Sequence, residues 1–538
     1  MKRFSSYFEG WRGIVLMAYL WLIMMGYALL YINVPSNETM NKLSTESLNF
    51  YYFIEVAEFL LLLTAFISPL LIRFARKWAV EPDGHTPNTW YNSYFWRFFF
   101  TGLAILLVYY AAFYPGGFSP DTTYQYAQAI GRSKYNDAHP VLETLLMVTL
   151  PLKLSGGWVG APALFHVLVA AFTIAYASST AMQYGNKKYA LFFFWYTILN
   201  PAVGLGTAYI AYKDMSFALV NMLAMSFAVH IYFTKGLWLK KFSHIIMLAL
   251  TLTCATIFRH NGILFTFPLL VGILFCAGKK NAKILLLWVC VLIFAVKVPL
   301  YSFFDIQKPG SRHIETLGFV MTITGDAVKY TPERIDSEVR DFIYTYADKE
   351  TWERINMGPG MTFGFIKHSM LNRNSNIIEE TDRIKAIKFM LHCIVRSPYV
   401  CLRSFIGLTD LVWGIAGFEP QRINMHSSKN NLGLEMKGIP FLRKILTLYD
   451  YGTRVLLKHV YSHIGVVMLV LLIVLLAKLN FNTSQDWKKF TLVIPMFIHN
   501  YGTMMFLTHN DFRYFFYSFL VFPLMLLLLL RKDEETQS

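Results

Sequence analysis

Tyr114–Pro140 reads YPGGFSPDTTYQYAQAIGRSKYNDAHP, a polar, carboxylate-bearing loop set between long apolar stretches. Pro115, Gly116, Gly117 and Pro120 form a turn that ends the preceding helix, and Asp121 is placed like the N-cap of the next one. Outward from this loop, runs near the roughly 18 to 20 residues that cross a bilayer as a helix recur at Ile14–Ile32, Tyr51–Ile72, Val159–Met182, Phe217–Phe233 and Ile284–Phe304. With 538 residues that are 55% hydrophobic, 17% aromatic and only 15% charged, the composition excludes a soluble chain of this size. Lipid leaves backbone groups no partner outside a helix, so the expected fold class is an all-α polytopic membrane protein.

The net charge of +16 invites a nucleic-acid partner, but its distribution follows the positive-inside rule and predicts none. About twelve spans (11–13) are expected, at 13–33, 50–72, 96–114, 160–183, 189–206, 214–234, 243–258, 262–277, 283–304, 462–480, 490–508 and 513–530. With both termini inside, twenty Lys and Arg fall in inside segments and seven in the short outside loops. If the apolar stretch Val141–Leu154 also crossed, thirteen of those inside charges would move outside. It therefore reads as a juxtamembrane helix on or dipping into the outer interface, broken at Ser155–Gly157. The first span lacks a small-residue cleavage site and reads as an uncleaved anchor. Five cysteines without a CxxC pair indicate neither a zinc site nor a disulfide framework.

The expected organisation is a two-helix segment over 1–95 and a membrane core over 96–304 whose first outer loop covers 115–158. A large external region over 305–461 follows, then a three-helix segment with a tail over 462–538. The external region carries charges at helical spacing in PERIDSEVRDFIYTYADKETWERI, which predicts exposed helices. Its later part, IVRSPYVCLRSFIGLTDLVWGI, reads as a helix resting at the interface.

Four polar clusters fall at the outer ends of helices in this topology. They are Asp121 with Thr122, Thr123 and Gln125; Asp137, His139 and Pro140; Lys213 and Asp214 with Arg259, His260, Asn261 and Gly262; and HNDFRY, His509–Tyr514. Each has a plainer reading, as a cap, a turn, an ion pair tying helices together, or a snorkelling arginine. Their convergence on one face points to a site.

The arrangement resembles the GT-C superfamily of integral membrane glycosyltransferases, which includes protein mannosyltransferases and aminoarabinose lipid A transferases. The resemblance rests on Asp121 in the first large outer loop, His139-Pro140 opening a juxtamembrane helix, and Asp511-Phe512-Arg513-Tyr514 entering the last helix. It covers roughly Trp96–Phe304 and the last three helices. This chain has Pro120-Asp121-Thr122 where familiar members often pair two acidic residues, and HPV lacks a second proline.

The resemblance implies inverting transfer of a sugar from a polyprenyl-phosphate donor to an envelope glycan or lipid acceptor outside a plasma membrane. Asp121 would be the general base. Lys213, Arg259 and Arg513 would bind the donor phosphate, and Gln125, Asp137, His139, His260, Asn261, Asp511 and Tyr514 would orient substrate. No cofactor is expected, and no oxygen-rich cage for a divalent metal is evident. The alternatives are a lipid-linked sugar flippase or transporter, and a surface polysaccharide polymerase or ligase using Arg312, Arg334, Arg340 and Arg354. A scaffolding membrane protein is a third reading.

Overall fold

A computed structural model describes residues 10–31, 50–83, 93–307, 312–355, 360–370, 381–415 and 423–531. Of the charges counted for topology, Lys2, Arg3, Lys42 and Lys532 lie outside the described residues. The described chain is helical, with isolated bridges in place of strands. Every one of the twelve expected stretches carries helix, but seven helices are long and apolar enough by themselves to cross a bilayer, or eight if the bent pair Lys187–Ile198 and Pro201–Thr207 is one span. Phe242–Ile257, Ile263–Cys276 and Ile464–Lys478 are shorter apolar helices. Ser484–Met504 is long enough but opens on the polar run SQDWKK.

The helices segregate into two compact units. The larger comprises Arg76–Lys308, Arg422–Asn500 and Phe512–Ser538, and the smaller comprises Met1–Ala75, Pro309–Gln421 and Tyr501–Asp511. The 305–461 stretch is thus divided between them at about residue 421.

In the larger unit, Lys213–Phe233 and Phe512–Leu530 are apolar all round, and 83% and 89% of their central windows are buried, against 11% for Lys279–Phe303. Helices without a polar face belong at the centre of a bundle. Ala161–Tyr184 packs between Ser93–Phe113 and Lys213–Phe233. Its buried Ala163, Ala170, Ala171, Ala175, Ala177 and Ala181 let backbones approach closely.

Residues 141–154 form one continuous helical run, in which a π-helical turn, Thr144–Thr149, joins Val141–Glu143 to Leu150–Leu154. Fourteen residues rise roughly 21 Å, short of a ~30 Å hydrocarbon core. Val141, Glu143, Thr144 and Val148 are fully buried, because the helix packs against Pro120–Ala129 and Ala161–Tyr184.

The smaller unit is centred on Arg312–Tyr330, which packs against Thr362–Met370, Arg383–Arg396 and Pro398–Trp413. The last two form the apolar stretch read as a single interfacial helix. Pro398 at the first position of the second helix restarts the chain there. Trp413 at its end meets Tyr27 of the Trp11–Tyr31 helix, with ring centroids 5.9 Å apart.

Candidate functional site

The Tyr114–Pro140 loop is pinned before it reaches Asp121. Gly117 N donates to Ala208 O at 2.9 Å, and Ile210 N donates back to Gly117 O at 3.0 Å. On the other side Phe118 N donates to His426 O at 2.9 Å and Ser428 N to Phe118 O at 3.0 Å. A Cβ at Gly117 would run into the Met425 side chain, which would have to move, and would press on the Tyr209 ring. Tyr209 in turn donates its hydroxyl to Asn424 O.

Asp121 is not the helix cap that its sequence position suggests. Ser119 caps Pro120–Ala129, its Oγ accepting from Thr122 N at 3.3 Å, and Pro120 takes the first helical position. Asp121 falls in the first turn of that helix. Thr122 anchors that turn by donating to Ala211 O at 2.9 Å.

The Asp121 carboxylate, 38% exposed, sits among three side chains from three other segments. Its Oδ2 lies 3.7 Å from Lys213 Nζ and 3.4 Å from an Arg513 NH, and its Oδ1 lies 3.9 Å from His139 Nε2. Lys213 Nζ also donates to His139 Nδ1 at 2.7 Å. Burial, with the Lys213 ammonium adding to it, pushes the His139 imidazole down to about 3. The ring is therefore neutral, and with Nδ1 accepting from Lys213 its proton rides on Nε2, toward Asp121. Tyr124 meets the His139 ring edge-on, centroids 5.7 Å apart.

Asp214, 2% exposed, forms a buried ion pair with Arg259 and stands 4.0 Å from Arg513 Nε. Arg259 is steadied by donation from its Nε to Asn261 Oδ1 at 3.1 Å and by the Tyr514 ring, 4.8 Å from its guanidinium carbon. His260, exposed on the same turn, adds positive potential at His139. The cluster holds three cations and two carboxylates, an excess of positive charge that suits an anionic ligand.

Of the expected site residues, Asp121, His139, Lys213, Arg259, His260, Asn261, Arg513 and Tyr514 come together here. Three have other partners. Asp137 is buried with its carboxylate accepting from the Tyr301 hydroxyl at 2.9 Å and from Lys297 at 3.4 Å, which ties the loop to the end of the Lys279–Phe303 helix. Asp511 pairs with His509 at 3.3 Å in the smaller unit. Gln125 is 1% exposed and donates to Glu143 Oε2 at 2.6 Å and Thr144 Oγ1 at 2.9 Å, so it braces the site from within.

No family model, curated protein or solved structure matches this chain. The site therefore has to be read from its own chemistry.

Glu143 escaped the sequence reading. It is fully buried, accepts from Gln125 and from Ser216 Oγ at 3.1 Å, and burial pushes its carboxyl up to about 7 against those hydrogen bonds. His166 Nε2 meets the same Ser216 hydroxyl at 3.0 Å. The available signal was a lone carboxylate inside the apolar run VLETLLMVTLPL. The 424–428 brace had none, because its partners lie some three hundred residues away. Among the described residues, no group of three His, Cys, Asp or Glu side chains could hold a metal ion.

Proposed function

We propose that the protein is a membrane glycosyltransferase of the GT-C type that moves a sugar from a polyprenyl-phosphate donor to an acceptor hydroxyl of an envelope glycan or lipid. The observation that carries this reading is the meeting of the half-exposed Asp121 carboxylate with His139, Lys213 and Arg513, beside the Arg259–Asp214 pair. An inverting displacement needs a base on the acceptor side and an anion-binding group on the leaving-group side, and Asp121 with Lys213 and Arg513 offers both kinds of group in one cluster.

The acceptor oxygen attacks the anomeric carbon from the face opposite the phosphate, forming one C–O bond as the bond to the phosphate oxygen breaks. The acceptor proton goes to Asp121, a transfer worth about 10²–10⁴ in rate. The departing polyprenyl phosphate carries its negative charge away and needs no proton. Lys213 supplies a compact positive charge to that leaving group and Arg513 a planar fork of donors. Both cations lie against Asp121. An arriving phosphate competes for them and releases the carboxylate toward the acceptor. His139, neutral and donating from Nε2, steers either the carboxylate or an acceptor oxygen.

Twelve spans with both termini cytoplasmic and the site facing out of a bacterial plasma membrane belong to the same reading. The positive-inside charge distribution supports it, and the seven long apolar helices support a membrane-embedded chain. The test is the envelope glycan of a deletion strain complemented with wild type or with Asp121→Asn at equal membrane abundance. A sugar branch lost on deletion and restored by wild type alone supports the assignment. Full restoration by Asp121→Asn removes Asp121 as the base.

A further inference from the structure

The Pro440–Leu456 helix has its polarity reversed. Phe441, Ile445, Leu448, Val455 and Leu456 point outward at 70, 46, 69, 58 and 81% exposure. Positions 441, 445, 448 and 455 form one stripe along the helix. The opposite face, apart from the buried Leu446, is polar and turned into the larger unit. There Arg443 donates to Ala112 O at 3.4 Å and Gly438 O at 3.3 Å, while Asp450 pairs with Arg454, which donates to Asn424 Oδ1 at 2.8 Å. Each of those apolar side chains left in water forgoes the free energy of burial. A helix that keeps its polar groups inside and its apolar groups outside is matched to a non-aqueous surrounding.

Its position says which one. The helix packs on Ser93–Phe113, a helix of bilayer-crossing length, and is fastened to that helix's last turn. Ile439 N donates to Ala111 O at 3.0 Å, and Lys437 N to Tyr114 O at 2.7 Å. Tyr449 reaches the Leu199 carbonyl, just past the end of Lys187–Ile198. These contacts set it across the ends of apolar helices. Exposed Lys444 and Lys458 flank the stripe, where ammonium groups reach lipid phosphates while their stems lie on apolar surface.

We infer that the Pro440–Leu456 helix lies in the plane of the membrane surface, its stripe sunk among the acyl chains of a phospholipid leaflet and Lys444 and Lys458 at headgroup level. This assignment does not depend on the glycosyltransferase reading.

The test uses the full chain in phosphatidylcholine–phosphatidylglycerol nanodiscs, with Cys290→Ser to remove the exposed native thiol. Nitroxide labels are placed separately at Phe441→Cys, Leu448→Cys and Val455→Cys, so that one misfolded variant does not decide the result. Lys429→Cys, in an exposed loop, is the aqueous reference. Labels on the stripe are expected to relax with dissolved oxygen and to lose contact with a water-soluble nickel chelate, the reverse of position 429. Nickel access equal to that at 429 overturns the inference. So does dipolar broadening between labels on two chains, which would make a second copy the occupant.

Discussion

Gln125 Nε2 donates a 2.6 Å hydrogen bond to Glu143 Oε2 directly beneath the exposed site. Gln125 lies one helical turn after Asp121, Glu143 four residues after His139, and Ser216, the second donor to Glu143, three after Lys213. One buried carboxylate thus ties together the three segments that present Asp121, His139 and Lys213.

Replacing Glu143 by Ala strands the Gln125 and Ser216 donors and opens a cavity, a loss of roughly 2–4 kcal/mol. Glu143→Gln keeps an acceptor for Gln125 and should stay within about 1 kcal/mol of wild type below about pH 4.5, where Glu143 itself is neutral. Thermal unfolding in one detergent, with both variants side by side, checks the order. Equal melting of Ala and Gln variants would show that the network carries no load.

The same carboxyl predicts a pH dependence. Its folded value near 7 is raised from an ordinary value of 4.5, so burial in the neutral form is fully tolerated below about 4.5. Stability declines as pH rises from there to about 7 and is flat beyond, a contribution of at most about 3 kcal/mol. Glu143→Gln removes that slope. Melting temperatures of both proteins between pH 4 and pH 8 should converge at the acid end and separate, in favour of Gln, toward neutrality.

Asp121→Asn should separate binding from turnover. Removing one negative charge from among Lys213, Arg513 and Arg259 leaves donor binding equal or tighter, while transfer falls about 10²–10⁴-fold. Binding of a polyprenyl phosphate and initial transfer rates on reconstituted protein measure the two. A parallel loss of both would make Asp121 a structural partner of the cations.

Arg259 and Arg513 should respond differently. Arg259 is 8% exposed against a 2% exposed Asp214, so Arg259→Ala leaves a buried carboxylate with only Arg513, 4.0 Å away, beside it and costs roughly 3–5 kcal/mol. Adding Asp214→Asn should recover most of that. Arg513, 27% exposed, can be replaced by Lys with little loss of stability but at least a severalfold loss of donor affinity, since the planar fork is gone. Unfolding curves for the first pair and phosphate-donor titrations for the second distinguish the roles.

Gly117→Ala pushes a methyl group into Met425 and Tyr209 and displaces the loop that leads to Asp121. Transfer should drop by more than stability does, and Met425→Ala in the same chain should restore part of it. Absence of any rescue would place the strain elsewhere.

The sequence alone determined the fold class, because an apolar run of some twenty residues has one backbone solution in lipid whatever its neighbours are. Local chemistry likewise made Asp121, His139, Lys213, Arg259 and Arg513 legible, since charge beside an apolar helix is costly and needs a reason. Tertiary structure decided what each does. Ser119 rather than Asp121 became the cap because Pro120 fits the first helical position, and Gln125 and Asp137 were drawn into buried braces by Glu143 and by Lys297 with Tyr301. Asp511 went with His509 into the smaller unit while Arg513, two residues on, joined Asp121 in the larger. Such choices depend on pairings between residues hundreds of positions apart, and no local pattern of side chains encodes a partner that only packing brings within reach.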